Sequence, residues 1–192
     1  RGLGDVYKRQ NKYGSQLNPD ASVLYEFWEN HYKAINTANL VIQQVEGSTS
    51  MSEVQKQVAL AEMSFLRAFF YFELVQQFGS IPLVLDVSFD VRTDFPRASV
   101  ADIYNQIIKD LEYSVQYSPE KPAKTGKAAK YAAAHLLAKV YLTRGSAVSD
   151  QRGQQPSDME NALKYAKMVI DCGQYELLTN FADLWDINNQ GN

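Results

Sequence analysis

Four glutamates, Glu26, Glu29, Glu62 and Glu73, are the residues from which catalysis could be built. Two carboxylates flanking a glycosidic bond can divide the roles of acid and base or nucleophile between them. Each of these four lies in a stretch of helical apolar pattern, where an acid is ordinarily solvated or ion-paired. No two can be assigned to one cleft, so no catalytic residue is named. His31 and His135 are far apart and have no companion at ligand spacing, which leaves each as a packed or surface histidine. Cys172 is the only cysteine, so it forms no internal disulfide. Close to a predicted helix end, it reads as a small buried hydrophobe. Neither a metal nor a cofactor is expected.

Arg67 is the charge that most needs an explanation. It falls within the most apolar helical stretch, and a buried guanidinium requires a partner. We expect it to tie its helix to a neighbour through a carboxylate or backbone carbonyls. The aromatics around it, Phe65, Phe69, Phe70, Tyr71 and Phe72, recur at helical spacing and so read as core rather than as a stacking platform. Recognition of a pyranose needs flat apolar rings beside planar polar groups. That combination occurs in two loops, one holding Asn11, Tyr13, Asn18 and Asp20, the other Trp185, Asp186 and Asn188. The first group is the preferred ligand-binding candidate, because loops carry function on a rigid helical frame.

The chain has 192 residues, enough for a real core, and its 21% charged content is that of a globular domain. Net charge is −3 and the basic residues are scattered, which argues against a nucleic-acid partner. No apolar run is long enough to span a bilayer. The first residue is Arg, no signal peptide is visible, and residues 1–10 show no amphipathic period. Residues 1–10 are therefore set aside as a non-native leader, and 11–192 are taken as a partial helical domain truncated at both ends.

Five helices are predicted from apolar periodicity. The first covers about 21–46, with Tyr25, Trp28, Tyr32, Ile35, Ile42 and Val45 suited to burial and Asn39 the misfit in the stripe. The second covers about 52–78; Ser52 with Gln55 three residues on is a capping-box pattern, and Gly79 and Pro82 close it. Its apolar positions, Val54 and Phe69 among them, cover most of its circumference, marking a central helix. A short extended piece around Leu83–Val87 is expected next. Helices at about 100–117, 128–144 and 157–172 follow. The fourth is interior because Ala132, Ala133 and Ala134 let a neighbour approach closely. The fifth carries a stripe of Met159, Ala162, Leu163, Ala166, Val169 and Ile170. The fold class is all-α, a tetratricopeptide-like (TPR-like) antiparallel array with long irregular loops and no strict repeat period.

The stretch from Ala61 to Val84, with Glu62, Phe65-Leu66-Arg67-Ala68, Phe69, Leu74, Gly79 and Pro82, resembles the signature of the SusD/RagB family. Trp28, Tyr32 and Asn39 resemble the helix before it. Arg97-Ala98-Ser99 with Ile103-Tyr104, Thr125-Gly126-Lys127 with Ala134-His135-Leu136, and Ala162 through Leu177 continue the likeness in order. Trp28, Tyr32, Asn39, Glu62, Arg67, Phe69, Gly79 and Pro82 are accordingly read as structural motif positions. The resemblance implies a surface-exposed outer-membrane lipoprotein, lipid-anchored in its full-length form. Such a protein binds oligosaccharides or other nutrients without catalysis and serves a SusC-like TonB-dependent transporter. The competing reading is a TPR-type protein-interaction scaffold, which would recognise partners in a concave helical groove. Helices that face absent segments would expose apolar surface, so poor solubility of the chain alone is expected.

Overall fold

The structure is a computed structural model and describes residues 22–87, 89, 94–122, 124, 126–148 and 150–186. Five α-helices run in succession: α1 Ser22–Glu46, α2 Glu53–Phe78, α3 Val100–Tyr117, α4 Lys130–Gly145 and α5 Asp158–Ile170. Short 3-10 turns stand at Asp150–Arg152 and Phe181–Trp185. Each helix packs chiefly on its sequence neighbours, α1 on α2, α2 on α3, α3 on α4 and α4 on α5. The result is the helical, TPR-like array that the periodicity implies.

Local chemistry sets the helix limits. Ser52 accepts the Gln55 amide while the Gln55 side chain takes the Ser52 N–H, a complete capping box. Gly79 ends α2 at φ 68°, where its own N–H still reaches the Val75 carbonyl. Ser99 caps α3 by accepting the Asp102 amide. The fourth helix begins at Lys130, two residues later than expected, with Ala129 as an N-cap that makes no side-chain hydrogen bond.

The core forms around Tyr71, Phe72, Leu74, Ile103, Tyr104, Ile107, Leu111, Leu137 and Val140, all essentially inaccessible to water. α2 is central, as expected, but fewer of its apolar positions are fully buried than its pattern implied. Ala61, Ala68, Tyr71 and Phe72 are buried, Phe65 and Phe69 are half-buried, and Val54 is exposed. Other stripe positions also differ. Tyr25 is 66% exposed, and Asn39, the supposed misfit, is buried. On α5, Met159, Leu163 and Ile170 face solvent, while Asp158, Ala162 and Tyr165 pack inward. Ala133 and Ala134 are fully buried, as close helix approach requires, but Ala132 is exposed. At Gly145 an added Cβ would lie 2.8 Å from that of Asp158, so the α4–α5 contact leaves no room for a larger residue there.

The segment after α2 is not a strand among the described residues. It makes one isolated antiparallel bridge, Pro82 to Arg97, supported by Ala98 N–H to the Ile81 carbonyl at 2.9 Å. Backbone groups of Pro82 and Val84 bond instead to side chains of α1 and α2.

Candidate functional site

Those side chains form the best-built polar constellation of the molecule. Tyr71 Oη donates to the Val84 carbonyl at 2.7 Å and accepts the Val84 N–H at 2.8 Å. Asn39 Nδ2 donates to the same carbonyl at 3.0 Å, and Tyr32 Oη donates to the Pro82 carbonyl at 2.7 Å. Behind them Arg67 gives Nη1 to Asn39 Oδ1 at 2.9 Å and binds both oxygens of Asp110 at 2.8 Å. Gln106 Nε2 also donates to Asp110, at 2.8 Å.

The network therefore joins α1, α2, α3 and the segment 82–84. Arg67 holds its place in the apolar helix through a carboxylate and an amide. Burial opposes its charge, but the hydrogen bonds and charge of Asp110 prevail and raise its pKa above the ordinary guanidinium value. Burial likewise raises the pKa of Tyr71 and Tyr32, whose hydroxyls stay protonated and able to donate. One wall of a cleft of about 490 Å³ is made by Arg67, Asp110 and Gln106, with Glu46, Lys109 and Tyr113 at its edge. Both Asp110 oxygens are occupied by Arg67, which suits the pair to bracing and not to proton transfer.

Three of the four candidate glutamates are paired, and Glu26 is exposed. Glu29 pairs with Lys33 at 2.9 Å and Glu62 with Lys127 at 2.9 Å. Glu73 meets His31 Nε2 at 2.8 Å, while His31 Nδ1 faces the Phe27 carbonyl at 2.7 Å. His31 is thus a packed histidine between α1 and α2, and His135 lies on the surface. Cys172 is half-buried, not enclosed, with its thiol on the Val169 carbonyl. Among the described residues no cluster of three or more His, Cys, Asp or Glu could hold a metal ion.

A second surface has the composition that sugar recognition requires. Tyr25, Trp28 and Tyr32 line a shallow cleft of about 450 Å³ on α1, together with Glu29, Lys33 and Asn36. Trp28 is fixed by Tyr32 at 4.9 Å between ring centres and edge-on by Phe78 at 5.0 Å. Rings one helical turn apart thus stand beside an ion pair and an amide. The periodicity of α1 assigned these rings to burial, so the cleft was hidden in the sequence.

The predicted ligand residues Asn11, Tyr13, Asn18 and Asp20 lie outside the described residues, as does Asn188. Trp185 is 76% exposed and stacks edge-on against Phe181. Among the motif positions, Tyr32, Asn39, Arg67 and Pro82 come together in the network. Gly79 caps α2, Trp28 packs on Phe78, Glu62 meets Lys127, and Phe69 lies against Phe70.

Residues 3–142 match the family model of SusD-like proteins, described as starch-binding and associating with the outer membrane. A SusD-like protein of Bacteroides ovatus is 36% identical over 171 residues, which are 86% of this chain and 30% of that protein. A structure solved with a xylogluco-oligosaccharide superposes with a TM-score of 0.78 at 32% identity, covering 88% of this chain and 34% of the other. A laminarin-binding SusD-like protein superposes at 0.72 and 27% identity, over 86% and 35% respectively. The chain spans about a third of the length of these relatives.

Proposed function

The chain belongs to the SusD-like family, and from that premise we propose that it is the helical part of a non-catalytic oligosaccharide-capture protein of the cell surface. The observation that carries this reading is the likeness, over 88% of the chain, to a structure holding a xylogluco-oligosaccharide. In the full-length protein a lipid anchor holds it to the outer membrane, and captured glycan passes to a SusC-like TonB-dependent transporter. The geometry supports the division of labour. The Arg67–Asp110–Asn39 network spends its polar groups on holding the frame together, which suits a binding scaffold.

On this chain the proposed contact surface is the Tyr25–Trp28–Tyr32 cleft, with the loop residues Asn11, Tyr13, Asn18 and Asp20 as further ligand contacts. Tyr25 offers its face, and Glu29, Lys33 and Asn36 offer groups for sugar hydroxyls. Calorimetric titration of the chain with xyloglucan and laminarin oligosaccharides tests the reading. Binding of one glycan without release of shorter products is expected. Tyr25→Ala, at an exposed position, should weaken it up to about tenfold while leaving the thermal transition unchanged. Hydrolysis of the glycan, or no binding to any oligosaccharide, would overturn the proposal; binding that ignores Tyr25→Ala would remove the cleft from it.

A further inference from the structure

A buried hydroxyl beside the Arg67–Asp110 pair has no partner among the described residues. Ser64 of α2 is only 7% exposed, and it lines the cleft of about 490 Å³ between α1, α2 and α3. Thr37 and Thr143, also in helix interiors, bond the carbonyl one turn back, that of Lys33 at 2.8 Å and that of Lys139 at 2.7 Å. Ser64 makes no such bond, and no side chain among the described residues meets its hydroxyl. Leaving a buried hydroxyl unpaired is costly, so its presence in a cleft points to a bond supplied from outside the protein.

The lining of the cleft is two-sided. Ile42 of α1, Leu60 of α2 and Leu85 of the following segment supply apolar surface. Gln106, Lys109, Tyr113 and Gln116 recur at threes and fours along α3 and bring one polar, ring-bearing face to the same space. A pyranose matches such a lining, since it has an apolar C–H face and an edge of hydroxyls. Other ligand classes match less well. A hydrocarbon would leave the Ser64 hydroxyl dry and unpaired. An anion would meet three carboxylates, Glu46, Asp110 and Glu112, against two cations, Arg67 and Lys109.

We propose that this cleft is a second sugar site, which takes one uncharged pyranose of a glycan. Ser64 bonds a sugar hydroxyl at the floor, Lys109 and Gln116 bond others at the rim, and Ile42, Leu60 and Leu85 cover the C–H face. The site rests on the oligosaccharide-capture reading for its ligand class, but not on the Tyr25 cleft. Tyr25 and Glu46 lie near opposite ends of α1, about 30 Å apart along its axis. Two sites at that separation would hold a polysaccharide at two points and raise its avidity over that of a single unit.

The test is calorimetric titration of the 192-residue chain with cellobiose and laminaribiose. Ser64→Ala deletes only a hydroxyl that bonds nothing in the protein, and Ala favours a helix, so the melting temperature should not fall. In a Tyr25→Ala background one of the disaccharides should still bind. Ser64→Ala should weaken that binding about three- to tenfold, the worth of one hydrogen bond, and Gln116→Ala, at an exposed position, should do the same. Excess glucuronate should not displace the disaccharide. Binding unchanged by both substitutions, or abolished by Tyr25→Ala alone, overturns this site and leaves the earlier one standing. A lower melting temperature for Ser64→Ala, or displacement by glucuronate, also overturns it. Binding that ignores Tyr25→Ala and is lost with Ser64→Ala keeps this site and removes the earlier one, whereas no binding of either disaccharide overturns both.

Discussion

Arg67 and Asp110 illustrate how a buried charge is tolerated at the scale of one residue. The pair is nearly closed off from water, and every oxygen of the carboxylate is hydrogen-bonded. Removing one member leaves the other uncompensated, so Arg67→Met should destabilise by about 3–5 kcal/mol in urea unfolding. Arg67→Met combined with Asp110→Leu should recover much of that loss, because the cost lies in the orphaned charge more than in the lost attraction. A double variant no more stable than the single one would show that the bridge itself contributes the stability. Phe69 and Phe72 separate by the same logic of burial. Phe72 is fully buried, and its replacement by Ala should cost about 3–5 kcal/mol. Phe69 is half-buried and should cost about 1–2 kcal/mol. Equal losses from the two would contradict this difference in burial.

Among the elements, α2 is the one on which the others depend, and its two ends are differently secured. Its start rests on the Ser52–Gln55 capping box, so Ser52→Ala should cost about 1 kcal/mol. Its end rests on Gly79, whose φ of 68° is unfavourable for a side-chain-bearing residue. No atom lies within 4 Å of an added Cβ there. The penalty of Gly79→Ala is therefore one of backbone conformation alone, about 1 kcal/mol or more, and thermal melting should register it. The chain after Gly79 depends on that turn to bring Pro82 and Val84 onto Tyr32, Tyr71 and Asn39. Among the described residues the short extended piece expected there makes one bridge, to Arg97, and is otherwise held by this side-chain clasp.

For the molecule as a whole, the buried tyrosines set the alkaline limit of stability. Tyr32, Tyr71 and Tyr141 have pKa values raised above the usual value of 10, burial being the main cause in each. Raised folded-state values mean that above pH 10 the unfolded chain loses protons the folded chain keeps. Stability is therefore unaffected by these groups below pH 10 and falls as pH rises from there. Ultraviolet absorbance of tyrosinate should show one class titrating normally and a second ionising only as helicity is lost. A single titration with helicity intact would refute it. The exposed apolar faces of α5 also act at this scale, since they predispose the isolated chain to association.

The sequence by itself determined the helices, their order, the capping of α2, and the family. The helices and caps follow from periodicity and short-range chemistry within a few residues, the family from the resemblance of its motifs. It also required a partner for Arg67, because an unpaired guanidinium among apolar residues is too costly. It could not name Asp110, 43 residues away, nor show that Asn39 is buried as the hinge of the same network. The α1 stripe likewise counted Tyr25 as core and left the aromatic cleft unseen. A stripe states which residues prefer burial, whereas the packing of neighbouring helices decides how wide a face is covered. Tertiary structure alone revealed the Arg67–Asp110–Asn39 network and the exposed face of α5, since both depend on helix contacts spanning long sequence separations.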